Sequence, residues 1–157
     1  PTLGPEPPFV QRLLRGAARR TPTLLGGVSW LQARIAEWAP PAFVLAQYTD
    51  RKGRATISDA DADAVRRDFV AALRRRRTGF VRELQTLAEP WNFALDSVTV
   101  PVRLWHGTAD TNVPVEAARA LAATLPDCEV SVDDTDHLTT LLRNRESVVA
   151  RYAAPVD

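Results

Sequence analysis

The stretch that decides the fold is residues 99–107, TVPVRLWHG. It begins with β-branched and apolar side chains and then meets a loop at His106-Gly107, which predicts a strand over residues 99–105. The elements predicted to follow are a helix, a second short strand and a last helix, over residues 114–125, 129–132 and 137–152. Strand, helix, strand, helix with short connections predicts a parallel βαβ unit and an α/β fold class.

Upstream of this unit the apolar residues follow a helical period. Residues 9–89 are predicted to be wholly helical apart from short turns, one of them the polar segment 50–54. Ser58 is predicted to cap the helix that follows it, and Arg74–Arg77 to lie at the negative end of that helix. A further short helix is predicted over residues 79–88. The predicted organisation is a proline-rich linker over 1–8, a helical region over 9–95 and an α/β region over 96–157.

The overall composition is that of a globular domain. The chain has 157 residues, 45% of them hydrophobic and 25% charged. Its formal net charge is +1, with basic side chains in excess before residue 100 and acidic ones after it, so the whole chain offers no electrostatic case for nucleic acid or anionic membrane as partner. No apolar run approaches the roughly 20 residues that a membrane helix needs.

Cysteine and histidine counts limit the kinds of site. One cysteine, Cys128, excludes an internal disulfide and a cysteine-rich zinc site, which suits a cytoplasmic location. Residues 1–8 lack the layout of a secretory signal. With two histidines and no clustered ligands, we expect no metal and no cofactor.

The chemistry is predicted to lie in the two loops that leave the strands. Asp110 follows the first strand, and His137 follows the second strand at the start of the last helix. Because functional residues of open α/β sheets collect at the carboxyl ends of strands, these two side chains are expected to meet. A carboxylate there would fix the imidazole tautomer and stabilise its protonated form, which supplies two thirds of a nucleophile-activating triad.

At these residues the sequence resembles the α/β-hydrolase family. Residues 100–107 with Asp110 and Val113-Pro114 resemble the strand and loop that deliver the catalytic acid, and His137 resembles the catalytic histidine. The lead-in at residues 90–95 is similar to sequences before this strand in cofactor-free esterases and epoxide hydrolases. The resemblance covers about residues 90–150. It implies that the helical region is the cap or lid of such an enzyme.

The chain departs from the family pattern at the nucleophile and before the histidine. The family carries its nucleophile upstream on a G-x-S-x-G turn, and this sequence contains none. The nearest segment is Gly27-Val28-Ser29-Trp30-Leu31, in which Ser29 lies within a helical pattern and is interpreted as a helix or turn serine. Asp136 precedes His137 where the family usually has glycine. The resemblance therefore implies the second half of a hydrolase fold, with a nucleophile outside this chain.

Several other residues are interpreted as structural. Asp133, Asp134 and Asp136 are alternatives to Asp110 as the acid, each interpreted as a solvated turn residue. His106 is interpreted as a strand-end residue that packs beside the site. The arginine run at residues 74–77 is interpreted as the basic C-terminal end of a helix whose N-terminal end is acidic, rather than as a nucleic-acid patch. Four aromatic residues are interpreted as core: Trp30, Trp38, Trp91 and Phe93.

Two functions follow as hypotheses. The first is a hydrolase of the α/β type that cleaves an ester or a related acyl or C–X bond in a small-molecule substrate, with Asp110 orienting His137. Its partner would be the remaining N-terminal half of the fold or a second chain. The alternative is a non-catalytic relative that serves as a binding or interaction module, because the missing nucleophile favours it.

Overall fold

The computed structural model describes residues 7–75, 77–89 and 93–153. Contacts among them form two compact units that divide between Phe93 and Ala94. The predicted linker falls mostly on residues 1–6, outside the described residues, as do Pro90, Trp91 and Asn92 of the predicted lead-in. The sequence-based division at residues 8/9 and 95/96 stays a prediction.

The described residues of the first unit, the helical unit, form helices and turns only. Its helices are α1 Phe9–Arg20, α2 Pro22–Trp38, α3 Pro41–Leu45, α4 Arg51–Arg54, α5 Asp59–Arg75 and α6 Arg77–Ala88. The prediction of a helical region over 9–89 is confirmed for these residues. Prolines stand at the start of α2 and α3, where the missing N–H would have no partner inside the helix in any case.

Two apolar clusters hold the helical unit together. In the first cluster, Ala33 and Ala36 of α2 are buried with Val44 of α3 and with Phe69 and Leu73 of α5. The second joins α1, α2 and α6, and its buried members are Ala18, Leu25 and Val81. The small alanine side chains allow the helix backbones to approach closely. Each cluster is therefore closely packed although it buries only a few large apolar side chains.

Of the four aromatic residues predicted to be core, Trp91 lies outside the described residues and the other three are not buried, contrary to the prediction. Trp30 is 40% exposed, Trp38 is 84% exposed and Phe93 is 56% exposed. On α2 the buried face is filled by small side chains such as Ser29 and Ala33. Most of the larger apolar residues of that helix, apart from the buried Leu25, therefore lie on the opposite side.

Two helix boundaries also differ from the prediction. Segment 50–54 is not a turn but contains the short helix α4, which Asp50 caps by accepting a hydrogen bond from the Gly53 N–H at 2.7 Å. Helix α5 ends at Arg75, so Arg74 and Arg75 lie in its last turn as predicted, and α6 begins at Arg77 rather than at residue 79; Arg76 lies outside the described residues. The predicted cap at Ser58 is confirmed by a 3.1 Å hydrogen bond from the Asp61 N–H to the Ser58 hydroxyl.

The second unit, the α/β unit, contains the predicted strand, helix, strand and helix. After a 3-10 turn at Leu95–Ser97 come β1 Val102–Gly107, α7 Val115–Ala122, β2 Cys128–Asp133 and α8 His137–Tyr152. The two strands pair in parallel, from Val102 with Cys128 to Gly107 with Asp133. The architecture is consistent with the α/β class. Helix α8 packs on β1, and α7 packs on both strands.

The strand and helix limits follow from backbone donors. β1 begins at Val102 rather than Thr99, because Pro101 has no N–H to give to a ladder and the Val102 N–H makes the first bond, to the Asp127 carbonyl at 2.9 Å. At its other end β1 includes His106 and Gly107, which the prediction assigned to the loop. Helix α7 begins one residue after the predicted Pro114, which is its N-cap. Within the described part of the chain, no helix combines the length and apolar character needed to cross a membrane.

Candidate active site

Asp110 lies in the loop that leaves β1. One carboxylate oxygen, Oδ1, accepts hydrogen bonds from the backbone N–H groups of Asn112 at 2.8 Å and Val113 at 2.9 Å. This is the turn chemistry that aspartate favours, and it fixes the carboxylate in one orientation. The Asp110 side chain is only 5% exposed. Its second oxygen, Oδ2, is thereby aimed away from its own loop.

His137 is held by the start of α8. Asp136 caps this helix: its Oδ1 accepts from the Thr139 N–H at 2.9 Å, and the Thr139 hydroxyl accepts from the Asp136 N–H at 2.9 Å. The Asp136 backbone is extended, with φ −95° and ψ −173°, so no glycine is required there. Aspartate suits this position because its side chain caps the helix. The reciprocal pair fixes the backbone on both sides of His137.

The predicted acid and base are in direct contact. His137 Nδ1 lies 2.8 Å from Asp110 Oδ2. Because an ionised carboxylate can only accept a hydrogen bond, the proton lies on Nδ1, and Nε2 carries the basic lone pair of the neutral ring. The His137 side chain is 43% exposed, whereas Asp110 is almost fully covered. The pair thus combines a fixed and covered carboxylate with a partly exposed imidazole.

Backbone contacts between the two strand-exit loops bring this pair together. The Thr108 N–H donates to the Asp133 carbonyl at 2.9 Å, and the Ala109 N–H donates to the Thr135 carbonyl at 3.0 Å. Gly107 makes this approach possible, because a Cβ built there would lie 2.0 Å from the Thr135 carbonyl oxygen. The Thr140 hydroxyl strengthens the second loop by donating to the Asp136 carbonyl at 2.6 Å.

Sequence reasoning missed these positioning residues. The signal for the cap was present, because an aspartate followed three residues later by a side chain that can accept a hydrogen bond is typical of a capping box, as at Asp136 and Thr139. The role of Gly107 had no comparable local signal. The close approach depends on Thr135, which is distant in sequence.

His106 lies beside the pair at the end of β1. Its Nδ1 is 3.0 Å from the Gly107 carbonyl oxygen, and its Nε2 is 3.9 Å from Asp110 Oδ2, beyond hydrogen-bond distance. The side chain is 12% exposed. These contacts agree with the interpretation of His106 as a packing residue next to the site.

The alternative carboxylates have other contacts. Asp133 Oδ2 accepts from the Asn144 side-chain amide at 3.3 Å, and Asp134 Oδ1 accepts from the Thr108 hydroxyl at 3.4 Å. Asp136 serves as the cap of α8. Among the residues that the structure describes, no three histidine, cysteine or acidic side chains gather as a metal site would require.

Ser29 is not placed as a nucleophile would be. It lies in the middle of α2, is 3% exposed, and its hydroxyl donates to the Leu25 carbonyl one turn earlier at 2.8 Å. Such a bond occupies the hydroxyl within its own helix. The structure agrees with the interpretation of Ser29 as a helix serine.

Comparison with known proteins gives one partial similarity to an esterase. No family model matches the chain. Over 68 residues it is 40% identical to the pimeloyl-[acyl-carrier protein] methyl ester esterase of Aromatoleum aromaticum. The match covers 42% of this chain and 27% of that protein, so the chain spans about a quarter of the length of the relative it matches. This similarity weakly supports the α/β-hydrolase resemblance.

Proposed function

We propose that this chain supplies the acid and the general base of an α/β-hydrolase active site that cleaves an ester. The observation that carries the proposal is the 2.8 Å contact between His137 Nδ1 and Asp110 Oδ2. Partial identity to a methyl ester esterase supports the same chemistry. The substrate is proposed to be a small molecule with an ester or related acyl bond, cleaved in the cytoplasm.

In the proposed reaction His137 moves the proton. Nε2 takes a proton from the attacking nucleophile as the new bond to the acyl carbon forms. The same nitrogen then gives that proton to the leaving alkoxide as the ester C–O bond breaks. Asp110 keeps the ring in the tautomer that this requires, and its charge stabilises the imidazolium between the two steps.

The nucleophile is proposed to come from residues outside this chain. The chain spans only part of its esterase relative, and the serine nearest to the expected motif, Ser29, is buried in a helix. A parallel sheet of two strands is also smaller than the sheets that such folds build. We therefore propose that the α/β unit is the C-terminal part of a hydrolase core and that the helical unit is its cap, with the remainder supplied by a preceding segment or a second chain.

Ester turnover by the complete protein tests this assignment. Variants His137→Ala and Asp110→Asn are expected to lower kcat/KM for a nitrophenyl ester by about 10³-fold or more, because the first removes the base and the second favours the wrong tautomer. Circular dichroism should show both variants folded, since neither side chain supports a core cluster.

Ser29→Ala is the matched control, because it removes a hydroxyl that serves only its own helix. It should retain the parent kcat/KM within about twofold. Undiminished turnover in His137→Ala would contradict the proposed mechanism. If the parent protein itself hydrolyses no ester, the chain is better described as the binding module that the missing nucleophile had favoured.

A further inference from the structure

A cleft rich in arginine lies within the helical unit, between α2 and α5. Its volume is about 330 Å³, and it is lined by Glu37, Arg66, Arg67, Val70, Ala71 and Arg74. We call it the arginine cleft. Val70 and Ala71 contribute apolar atoms to its lining, and Arg66, Arg67 and Arg74 contribute guanidinium groups. The volume is at the lower end of the range for small-molecule sites, so any occupant would be small.

The carboxylate of the cleft is already engaged. Glu37 is 17% exposed, and its Oε2 accepts from Arg34 Nη1 at 2.5 Å. Its Oε1 pairs with Arg74 Nη1 across the two helices. Arg66 Nη1 donates to the Glu37 backbone carbonyl at 3.1 Å, where it satisfies an acceptor in the last turn of α2. The Glu37 carboxylate therefore pairs with two guanidinium groups, and the Glu37 backbone carbonyl accepts a hydrogen bond from a third.

Donors remain in the cleft after these bonds are counted. The Nε of Arg66 is buried without a hydrogen bond, although it lies 3.5 Å from Asp63 Oδ1 in an ion pair. Arg67, which is exposed, makes no hydrogen bond or ion pair with any other residue that the structure describes. A buried N–H without an acceptor is unfavourable, so an acceptor supplied by a ligand would stabilise the cleft.

Charge at the cleft also favours an anion. Three positive groups line the cleft, those of Arg66, Arg67 and Arg74, and Arg34 pairs with Glu37 from outside the lining; the carboxylates paired with these four arginines are Glu37 and Asp63. Arg67 and Arg74 are seven residues apart on α5, close to two full turns, so both side chains lie on one face of the helix. Guanidinium groups match the oxygens of a tetrahedral oxyanion in both geometry and charge.

We propose that the arginine cleft binds an oxyanion of the phosphate class, either inorganic phosphate or the phosphate group of a small organic monoester. Its oxygens would accept from Arg66 Nε and from the Arg67 guanidinium, and its negative charge would offset the excess positive charge. The site lies wholly in the helical unit and is independent of the Asp110–His137 pair. Failure of the proposed ester hydrolysis would leave it unaffected.

Calorimetric titration of the complete protein tests the site. Inorganic phosphate and glycerol 3-phosphate are titrated separately, with ionic strength held constant by chloride. Saturable binding of at least one of them with a stoichiometry near one is expected. Arg67→Gln should weaken that binding about tenfold, since it removes a charged donor from an exposed position on which no core contact depends. The tighter of the two probes identifies the source of the phosphate group.

Arg20→Gln is the matched control, because it makes the same charge change at an exposed residue of α1 outside the cleft. It should change the dissociation constant by less than about twofold. Equal weakening by Arg20→Gln and Arg67→Gln would show that only the general positive field attracts the ion, and the proposal would then be wrong. Absence of saturable binding with both probes would also overturn it.

Discussion

The two units reach a defined structure by different means. In the helical unit, small side chains such as Ala33 and Ala36 let helices pack closely, and the specific contacts are mainly apolar. In the α/β unit, the important contacts are polar and involve the backbone, as between Ala109 and the Thr135 carbonyl. Apolar packing tolerates small shifts, because its energy depends weakly on direction. Hydrogen bonds between loops do not, so the α/β unit is the part suited to hold reacting groups.

Exposure shows the same contrast. Along helix α2, a row of apolar side chains is at least half exposed: Leu24, Val28, Leu31, Ile35 and Trp38. At the strand ends of the α/β unit, even polar side chains are covered, with Asp136 8% exposed and Thr140 7% exposed. A buried polar group must have a partner. A network of hydrogen bonds therefore fixes the conformation of the loops around Asp110 and His137.

The sharpest way to break this contrast is a methyl group at a glycine of each unit. Gly107→Ala would place a Cβ 2.0 Å from the Thr135 carbonyl oxygen, a backbone atom that cannot turn aside. We expect the free energy of unfolding to fall by about 3 kcal/mol, as overpacking against a fixed neighbour does. Urea denaturation of the complete protein measures the loss.

Gly16→Ala in α1 is the matched change in the helical unit. Nothing lies within 4 Å of a Cβ built at that position, and the residue is inside a helix. Alanine is favoured over glycine there, so stability should rise by about 0.5–1 kcal/mol. Similar losses at both glycines would mean that the loop contacts at Gly107 are no tighter than the helix surface.

The ease of prediction follows this contrast in part. Parallel pairing of β1 and β2 and the meeting of Asp110 with His137 were predictable, because chain order and the strand rule place both at one sheet edge. The clearance at Gly107 was not, because it depends on Thr135 in the other loop. Local patterns cannot report a distance between two loops that are separated in sequence.

In the helical unit the existence of helices was predictable but their orientation was not. The apolar residues of α2 occupy more than one face, so periodicity alone did not tell whether Trp38 or Ala36 lies inside. The structure buries Ala36 fully and leaves Trp38 84% exposed. Close packing of neighbouring helices decides this choice, and that information is tertiary. The start of α6 at Arg77 also lacked a signal, because no proline or glycine precedes it within the arginine run.

The second comparison concerns one helix cap from each unit, Asp136 of α8 and Ser58 of α5. Asp136→Ala removes the acceptor for the Thr139 N–H at a nearly buried position, and should cost about 2 kcal/mol. Ser58→Ala removes an exposed cap from α5, and should cost about 1 kcal/mol. Hydrogen exchange measured by mass spectrometry should show faster exchange in the first turn of the affected helix in each variant.

Asp136→Asn tests whether capping is the reason for the loss at α8. Asparagine caps a helix about as well as aspartate, so exchange in the first turn should return close to the parent rate. If exchange in the first turn stays as fast as in Asp136→Ala, the negative charge of Asp136 rather than its hydrogen bond stabilises the turn that holds His137.

The smallest expected effect is a loss of stability at high pH that arises in the helical unit. Burial raises the pKa of the Tyr48 phenol above its usual value of 10.0, because the site disfavours the charged form. The folded protein thus keeps its proton at a pH where the unfolded chain has lost it. Stability from this group is complete below pH 10.0 and falls as pH rises toward the folded pKa.

In the Tyr152→Phe variant, Tyr48 is the only tyrosine of this chain, and ultraviolet difference absorbance should place its titration above 10.0. Tyr48→Phe keeps the ring and removes the hydroxyl that ionises. The free energy of unfolding of this variant should therefore fall less than that of the parent over the same alkaline range. An equal loss in both would mean that groups elsewhere, including the α/β unit, control the alkaline transition.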